Sequence, residues 1–355
     1  MVILLVVFGG VIVKHGIMEQ QEGDKAMRKH LPTIVAFPIA AVLFFGARAE
    51  AGQTLIRIGI PEALDNPIGV MSEEIKEKAE SRSGGRITVE VYPSNQLGGP
   101  REMLEGVHLG TLEVTVCTPS DLGNFIPQMS VLAFPFLFKD RAQAYRILDG
   151  EIGDELSEYA RKGGFEVLGY PEVGFRQILN SVRPITKLED FQGIKIRLPG
   201  NPVRLAAFRA LGANPVSISF AECYSALQQR VCDGLENSPT NLYFNKFYEV
   251  TKFMSMTGIL YDAFAITMNK EIYDEMPADL QEILKTACKE AIDNQRKLNS
   301  EMDDKSVQEI AKFIPVNELE PAEADRIAEK ARSVYSQFEN EIGKELIEKV
   351  LKAVQ

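Results

Sequence analysis

The chain has 355 residues, of which 45% are hydrophobic and 25% charged, and its formal net charge is −11. That length supports two hydrophobic cores, and the acidic balance repels phosphate backbones and anionic lipid, so nucleic-acid binding and peripheral membrane attachment lose their electrostatic drive. His15 and His30 stand near the N-terminus and leave His108 as the sole histidine of the remaining chain, which argues against histidine triads and multi-histidine metal sites.

Two apolar runs open the sequence, Met1 to Val13 and Leu31 to Gly46, and neither reaches the roughly 18–20 residues needed to span a bilayer. The second has the order of a secretion signal: Arg28, Lys29 and His30, then an apolar centre, then Ala47-Arg48-Ala49 as a small-x-small cleavage site. We therefore expect residues 1–49 to be a leader and the mature chain to begin near Glu50, with Met27 offering a second start and a retained anchor as the competing reading. Removing the leader takes away five basic and three acidic side chains, so the mature chain is more acidic still. An anionic ligand would then need a local cationic pocket.

Thr54 to Ile60 reads as a buried strand, Val70 to Ser81 as an amphipathic helix broken by Gly84-Gly85, and Arg86 to Tyr92 as an alternating second strand. A helix over Pro100 to Leu109 and a strand over Leu112 to Cys117 follow, and this β-α-β-α-β order predicts a parallel sheet with helical crossovers. His108, near the end of that helix, is expected to pack or to lie at the surface. A second series runs through Gly164–Gly169, Gly174–Leu179 and Gly193–Pro199, then a helix from Val203 to Leu211 opened by Asn201-Pro202. Ser219 to Gln229 reads as a helix with Ser219 as its cap, and Asp233 to Pro239 as a turn-rich stretch.

From Ala278 to Phe313 the pattern is almost unbroken helix. About 30 residues of helix reach roughly 45 Å, wider than a small domain, so this segment is expected to cross between two lobes. Ala322 to Val354 reads as a charged helical tail, and no flexible linker separates the two series. Cys117, Cys223, Cys232 and Cys288 have no metal or redox spacing and are read as separate buried thiols.

No Gly-rich phosphate loop, nucleophile elbow or calcium loop is present. What stands out is Arg197, at the end of an apolar strand with Pro199-Gly200 and a helix start behind it, the usual ligand position in an open α/β sheet. A guanidinium fork takes a carboxylate bidentately and keeps its charge when desolvated. Arg176 has a similar apolar setting, and Asn237 offers amide donors and an acceptor, although salt bridges and turn roles compete at all three positions.

Several segments together resemble the substrate-binding subunits of tripartite ATP-independent periplasmic (TRAP) transporters, the dicarboxylate-binding family. They are Val91-Tyr-Pro-Ser-Asn-Gln-Leu-Gly98, Ala133-Phe-Pro-Phe-Leu137, Phe191-Gln-Gly-Ile-Lys-Ile-Arg-Leu-Pro199, Leu211-Gly-Ala-Asn-Pro-Val216, Phe220-Ala-Glu-Cys-Tyr-Ser-Ala-Leu-Gln228, Asp233-Gly-Leu-Glu-Asn237 and Phe247-Tyr-Glu-Val-Thr-Lys252. The resemblance covers almost all of the chain after the leader. It departs from the family at Arg230, where a small residue is common, and at Ser238, which separates Asn237 from Pro239.

The resemblance implies a two-lobed α/β binding protein of the Venus-flytrap kind, with mixed sheets, a hinge cleft and a long interlobe helix. One lobe would comprise residues 50–173 and 261–300, the other 174–260 and 301–355. It implies that Arg197 clamps a ligand carboxylate, that Arg176 reaches it from a neighbouring strand, that Asn237 donates to it and that Phe220 lies against the ligand. Glu62, Asn66, Thr118 and Asp121, in loops after first-lobe strands, are expected to face the cleft. No catalytic residue, cofactor or metal is expected.

The implied function is that of a periplasmic, monomeric receptor that closes on a small organic acid and delivers it to the small and large TRAP membrane subunits. The ligand would be a sugar acid such as a uronate, or a C4-dicarboxylate; the polar cluster Glu62, Asp65, Asn66 suits hydroxyls better than a second negative charge. A ligand-presenting sensor component and an enzyme acting on organic acids are the alternatives.

Overall fold

The computed structural model describes residues 53–355, and the expected leader lies outside them. In chain order the first strands are β1 (Thr54–Gly59), β2 (Ile87–Tyr92) and β3 (Val114–Cys117). They run parallel in the order β2-β1-β3, with helices Pro67–Ser83 and Pro100–His108 as the crossovers. Alternation in β1 and β2 sends Ile56, Ile58, Ile87 and Val89 inward, where helix Pro67–Ser83 covers them with Ile68, Met71, Ile75 and Ala79. Burying each such aliphatic side chain is worth about 1.5–3 kcal/mol.

The remaining strands are β4 (Phe165–Val167), β5 (Glu172–Asn180), β6 (Lys195–Leu198), β7 (Asn214–Ser217), β8 (Gly234–Asn237), β9 (Phe253–Ala263), β10 (Ala265–Asn269) and β11 (Val316–Glu318). The first sheet is not purely parallel, because β10 inserts antiparallel between β3 and β4. The second sheet has the order β11-β9-β5-β8-β6-β7, with β6, β7 and β8 parallel to one another and β5 antiparallel to both β8 and β9. Asp233 to Pro239, expected as turns, instead contains the buried strand β8, because Leu235 and Glu236 are both enclosed by neighbouring strands.

The chain passes between the sheets from β4 to β5, from β9 to β10, and along one helix. That helix, Ala278–Ile310, is 33 residues long. Leu280, Leu284, Ala287 and Ala291 pack under the first sheet and Ile310 packs under the second, as the expected crossing requires. Midway, Gln295 brackets the backbone of Glu172 with two hydrogen bonds of 2.9 and 2.8 Å, and Asp303 accepts from the Thr240 backbone and hydroxyl at 3.0 and 2.6 Å. Two register shifts in the β5–β9 pair, between Glu172 and Gly174 and between Arg176 and Ile178, fall in the same region.

The tail forms helices Pro321–Arg332 and Lys344–Ala353, and its last turns carry Ile342, Leu346, Ile347 and Val350 into a core shared with Leu148, Ile152 and Leu156. His108 packs against Phe165 and Phe125, with ring centroids 5.2 and 6.1 Å apart. All four cysteines are buried free thiols. Arg230 adopts φ +58°, a left-handed conformation that glycine takes without strain, which explains why a small residue suits this position. Among the described residues no helix is long and apolar enough to cross a membrane.

Candidate ligand-binding site

A cavity of about 190 Å³ lies where the carboxyl ends of β1 and β3 face those of β6, β7 and β8. The first sheet contributes Glu62, just after β1, and Thr118 and Asp121, just after β3. Thr118 caps helix Pro119–Leu122 and donates to Asp121 Oδ2 at 2.6 Å, which fixes the carboxylate against the cavity. The loop holding Glu62 is pressed on helix Pro67–Ser83 so closely that a Cβ at Gly69 would stand 2.3 Å from the Ala63 carbonyl oxygen.

The opposite wall carries Arg176 from β5, Arg197 from β6, Phe220 beyond β7 and Asn237 at the end of β8. Of the eight expected site residues, seven line this cavity: Glu62, Thr118, Asp121, Arg176, Arg197, Phe220 and Asn237. Asn66 does not. Its Oδ1 caps helix Pro67–Ser83 through Ile68 N at 3.0 Å and its Nδ2 donates to Asn241 Oδ1 at 3.1 Å, so it links the two walls behind the cavity. Ser219 makes no side-chain cap bond and stands at the rim, where a Cβ on Gly99 would meet its Oγ at 2.7 Å.

Arg197 and Arg176 are both only 3% exposed, yet their electrostatic situations differ. Arg197 donates Nε–H to the Ile218 carbonyl at 2.8 Å, and its guanidinium carbon sits 5.8 Å from the Phe220 ring centre. No described residue accepts from its two Nη groups. Arg176, by contrast, pairs with Glu236 through both Nε and Nη2 and with Asp262 through Nη1 at 3.2 Å. Arg204, which the sequence did not single out, completes the group by pairing with Asp262 and, at 3.4 Å, with Glu236. Two guanidiniums and two carboxylates thus neutralise each other at the cavity floor.

The Glu62 carboxyl is 3% exposed and its Oε2 has no partner. Burial pushes its pKa up to about 8; a backbone hydrogen bond pulls the other way, nearby Asp121 raises it further and Arg176 lowers it. Burial also raises Asp121, against the pull of Thr118, Arg204 and Arg197, and pushes Asp303 up to about 7. Between the ordinary value of 4.5 and about 8 the folded protein holds a proton at Glu62 that the unfolded chain has released. Stability therefore falls as pH rises through that window, by at most about 1.4 kcal/mol per unit for this group, and Asp303 adds the same sign. In urea titrations at pH 5, 6.5 and 8, Glu62→Gln is expected to gain on the wild type as pH rises; parallel curves would remove Glu62 from the account.

Residues 60–341 match the family model described as "Bacterial extracellular solute-binding protein, family 7". The chain belongs to this family. Among its relatives, the 2,3-diketo-L-gulonate-binding periplasmic protein YiaO of Escherichia coli is 33% identical over 263 residues, covering 74% of this chain and 80% of the relative. Two solved structures are similar to this chain. The sugar acid binding protein DctPAm of Advenella mimigardefordensis, in complex with galactonate, superposes with a TM-score of 0.82 at 30% identity, over 85% of this chain and 98% of that one. A TRAP periplasmic solute binding protein of Sulfurospirillum deleyianum with bound succinate gives 0.81 at 31% identity, over 86% and 100%. The two mixed sheets thus belong to a two-domain family 7 receptor fold, as the resemblance in the sequence implied.

Proposed function

We propose that this family 7 protein is the extracytoplasmic receptor of a TRAP transporter, binding a small organic carboxylate and handing it to the small and large membrane subunits. The observation that carries the reading is Arg197, a buried guanidinium lining the cavity whose Nη groups have no hydrogen-bond or ion-pair partner among the described residues. A buried cation without a counter-ion is costly, and a ligand carboxylate taking both Nη groups relieves that cost. Phe220 lies beside the guanidinium, Asn237 contributes its amide, and Arg176 acts mainly through the neutral group it forms with Arg204, Glu236 and Asp262. Residues 50–173 with 261–300 and 174–260 with 301–355 would be the two lobes, and no bond is made or broken.

Closure fits the rim contact. Asn201 Nδ2 reaches Ser120 O at 3.2 Å and Ser130 Oγ at 3.1 Å, while Gly99 and Ser219 meet without room for a Cβ between them. The ligand would favour this closed arrangement over an open one. The test is a thermal-shift panel of sugar acids, C4-dicarboxylates, keto acids and amino acids, with small-angle scattering before and after ligand. One or more organic acids should raise the melting temperature and reduce the radius of gyration; no response to any acid would defeat the reading. Gly99→Val should weaken binding by roughly 10-fold by wedging the rim open, with partial recovery on adding Ser219→Ala, and an unchanged affinity would show that the rim does not close.

A further inference from the structure

The charges lining the cavity separate two ligand classes that the receptor reading leaves together. We infer that the site takes an acid with a single carboxylate and a neutral, hydroxyl-bearing remainder, Arg197 being the one cation left for a carboxylate and Glu62 a partner for a hydroxyl of that remainder. This rests on the receptor reading above and narrows it.

Three arginines are buried around the cavity, Arg176, Arg197 and Arg204. Arg176 and Arg204 are both engaged by Glu236 and Asp262, so neither offers an unspent charge. Arg101, at the rim, is exposed and donates to Glu105 at 3.0 Å within its own helix, where solvent weakens any further pairing. Among the described residues, Arg197 is left as the one buried guanidinium in the cavity without a carboxylate partner. One cation is matched by one carboxylate.

The wall opposite Arg197 carries the Glu62 and Asp121 carboxyl groups. Asp121 accepts from Thr118 through Oδ2, and no described residue donates to its Oδ1. Glu62 is enclosed with Oε2 unpartnered. A second ligand carboxylate on this side would meet two acidic groups and no buried cation, whereas a hydroxyl can donate to Asp121 and exchange hydrogen bonds with Glu62. A buried carboxyl oxygen with no partner is a costly feature that a ligand hydroxyl would satisfy. Burial keeps Glu62 mostly protonated near neutral pH, so it accepts and donates to hydroxyls, but an approaching carboxylate would still lack a positive partner.

Pairs of acids that share a carbon skeleton and differ only at the far end test this directly. Isothermal titration of the purified protein with galactonate against galactarate, and erythronate against tartrate, with succinate alongside, should give tighter binding for at least one monoacid than for its diacid by on the order of 100-fold, the scale expected when a buried charge is left without a partner. Glu62→Leu, which removes both the donor and the acceptor, should narrow that ratio by about 10-fold by weakening the monoacid. A diacid that binds as well as its monoacid would overturn the single-carboxylate inference and leave the receptor intact, whereas binding by no acid of any class would overturn the receptor reading itself. Wild-type discrimination that survives unchanged in Glu62→Leu would remove Glu62 from the role, and should that variant fail to fold, the wild-type pairs still decide the ligand class.

Discussion

Arg197→Ala is expected to weaken binding of the acid ligand by about 100-fold or more, the usual consequence of deleting one side of a buried charge pair. The melting temperature of the ligand-free protein should barely move, since Arg197 pairs with no protein carboxylate and its one hydrogen bond is to the Ile218 carbonyl. Arg197→Lys should fall between the two, because an ammonium retains the charge but loses the planar fork. Titration calorimetry together with a thermal melt separates the effects. An alanine variant that binds normally would remove the clamp, and one that melts far below the wild type would mean that the residue holds the fold instead.

The opposite outcome is expected seven positions later. Arg204→Met removes a guanidinium whose side chain is fully enclosed and leaves Glu236 and Asp262 sharing only Arg176. Stranding a buried carboxylate in this way costs about 3–5 kcal/mol, which in a domain of this size lowers the melting temperature by roughly 6 °C or more. Loss of ligand affinity should follow only as far as the cavity floor rearranges. If urea denaturation found Arg204→Met within 1 kcal/mol of wild type, taking about 1 kcal/mol as the effect of an ordinary substitution, the buried group would not be holding the floor together.

These two arginines also mark where a single sequence stops being informative. Arg197 could be singled out because its neighbours announce it: an apolar strand before, Pro199-Gly200 and a helix start after. Arg204 looks like one more polar position on an amphipathic helix, and its partners Glu236 and Asp262 lie 32 and 58 residues further on. Only the sheet order brings them together, and nothing local encodes it. The first three strands and their crossover helices were legible through their periodicity, and the 33-residue helix through its unbroken pattern. Strands β9 and β10 were not, because β9 buries residues on both faces and β10 is enclosed throughout, so neither shows the alternation that marks a half-exposed strand. Asn66 and Thr118 occupy similar places after strands, yet one serves a cap and a link between the walls while the other faces the cavity, a difference set by tertiary packing.

The insertion of β10 between β3 and β4 bears on how the protein reaches this state. Residue 115 pairs with residue 267, and residue 254 with residue 316, so neither sheet can be completed from the first half of the polypeptide. An emerging chain would hold β1, β2 and β3 with an unsatisfied edge until more than a hundred further residues had arrived. Such separations slow acquisition of the native state and lengthen exposure of pairing edges. The two sheets are therefore expected to form together in a late, cooperative step and to be lost together on denaturation.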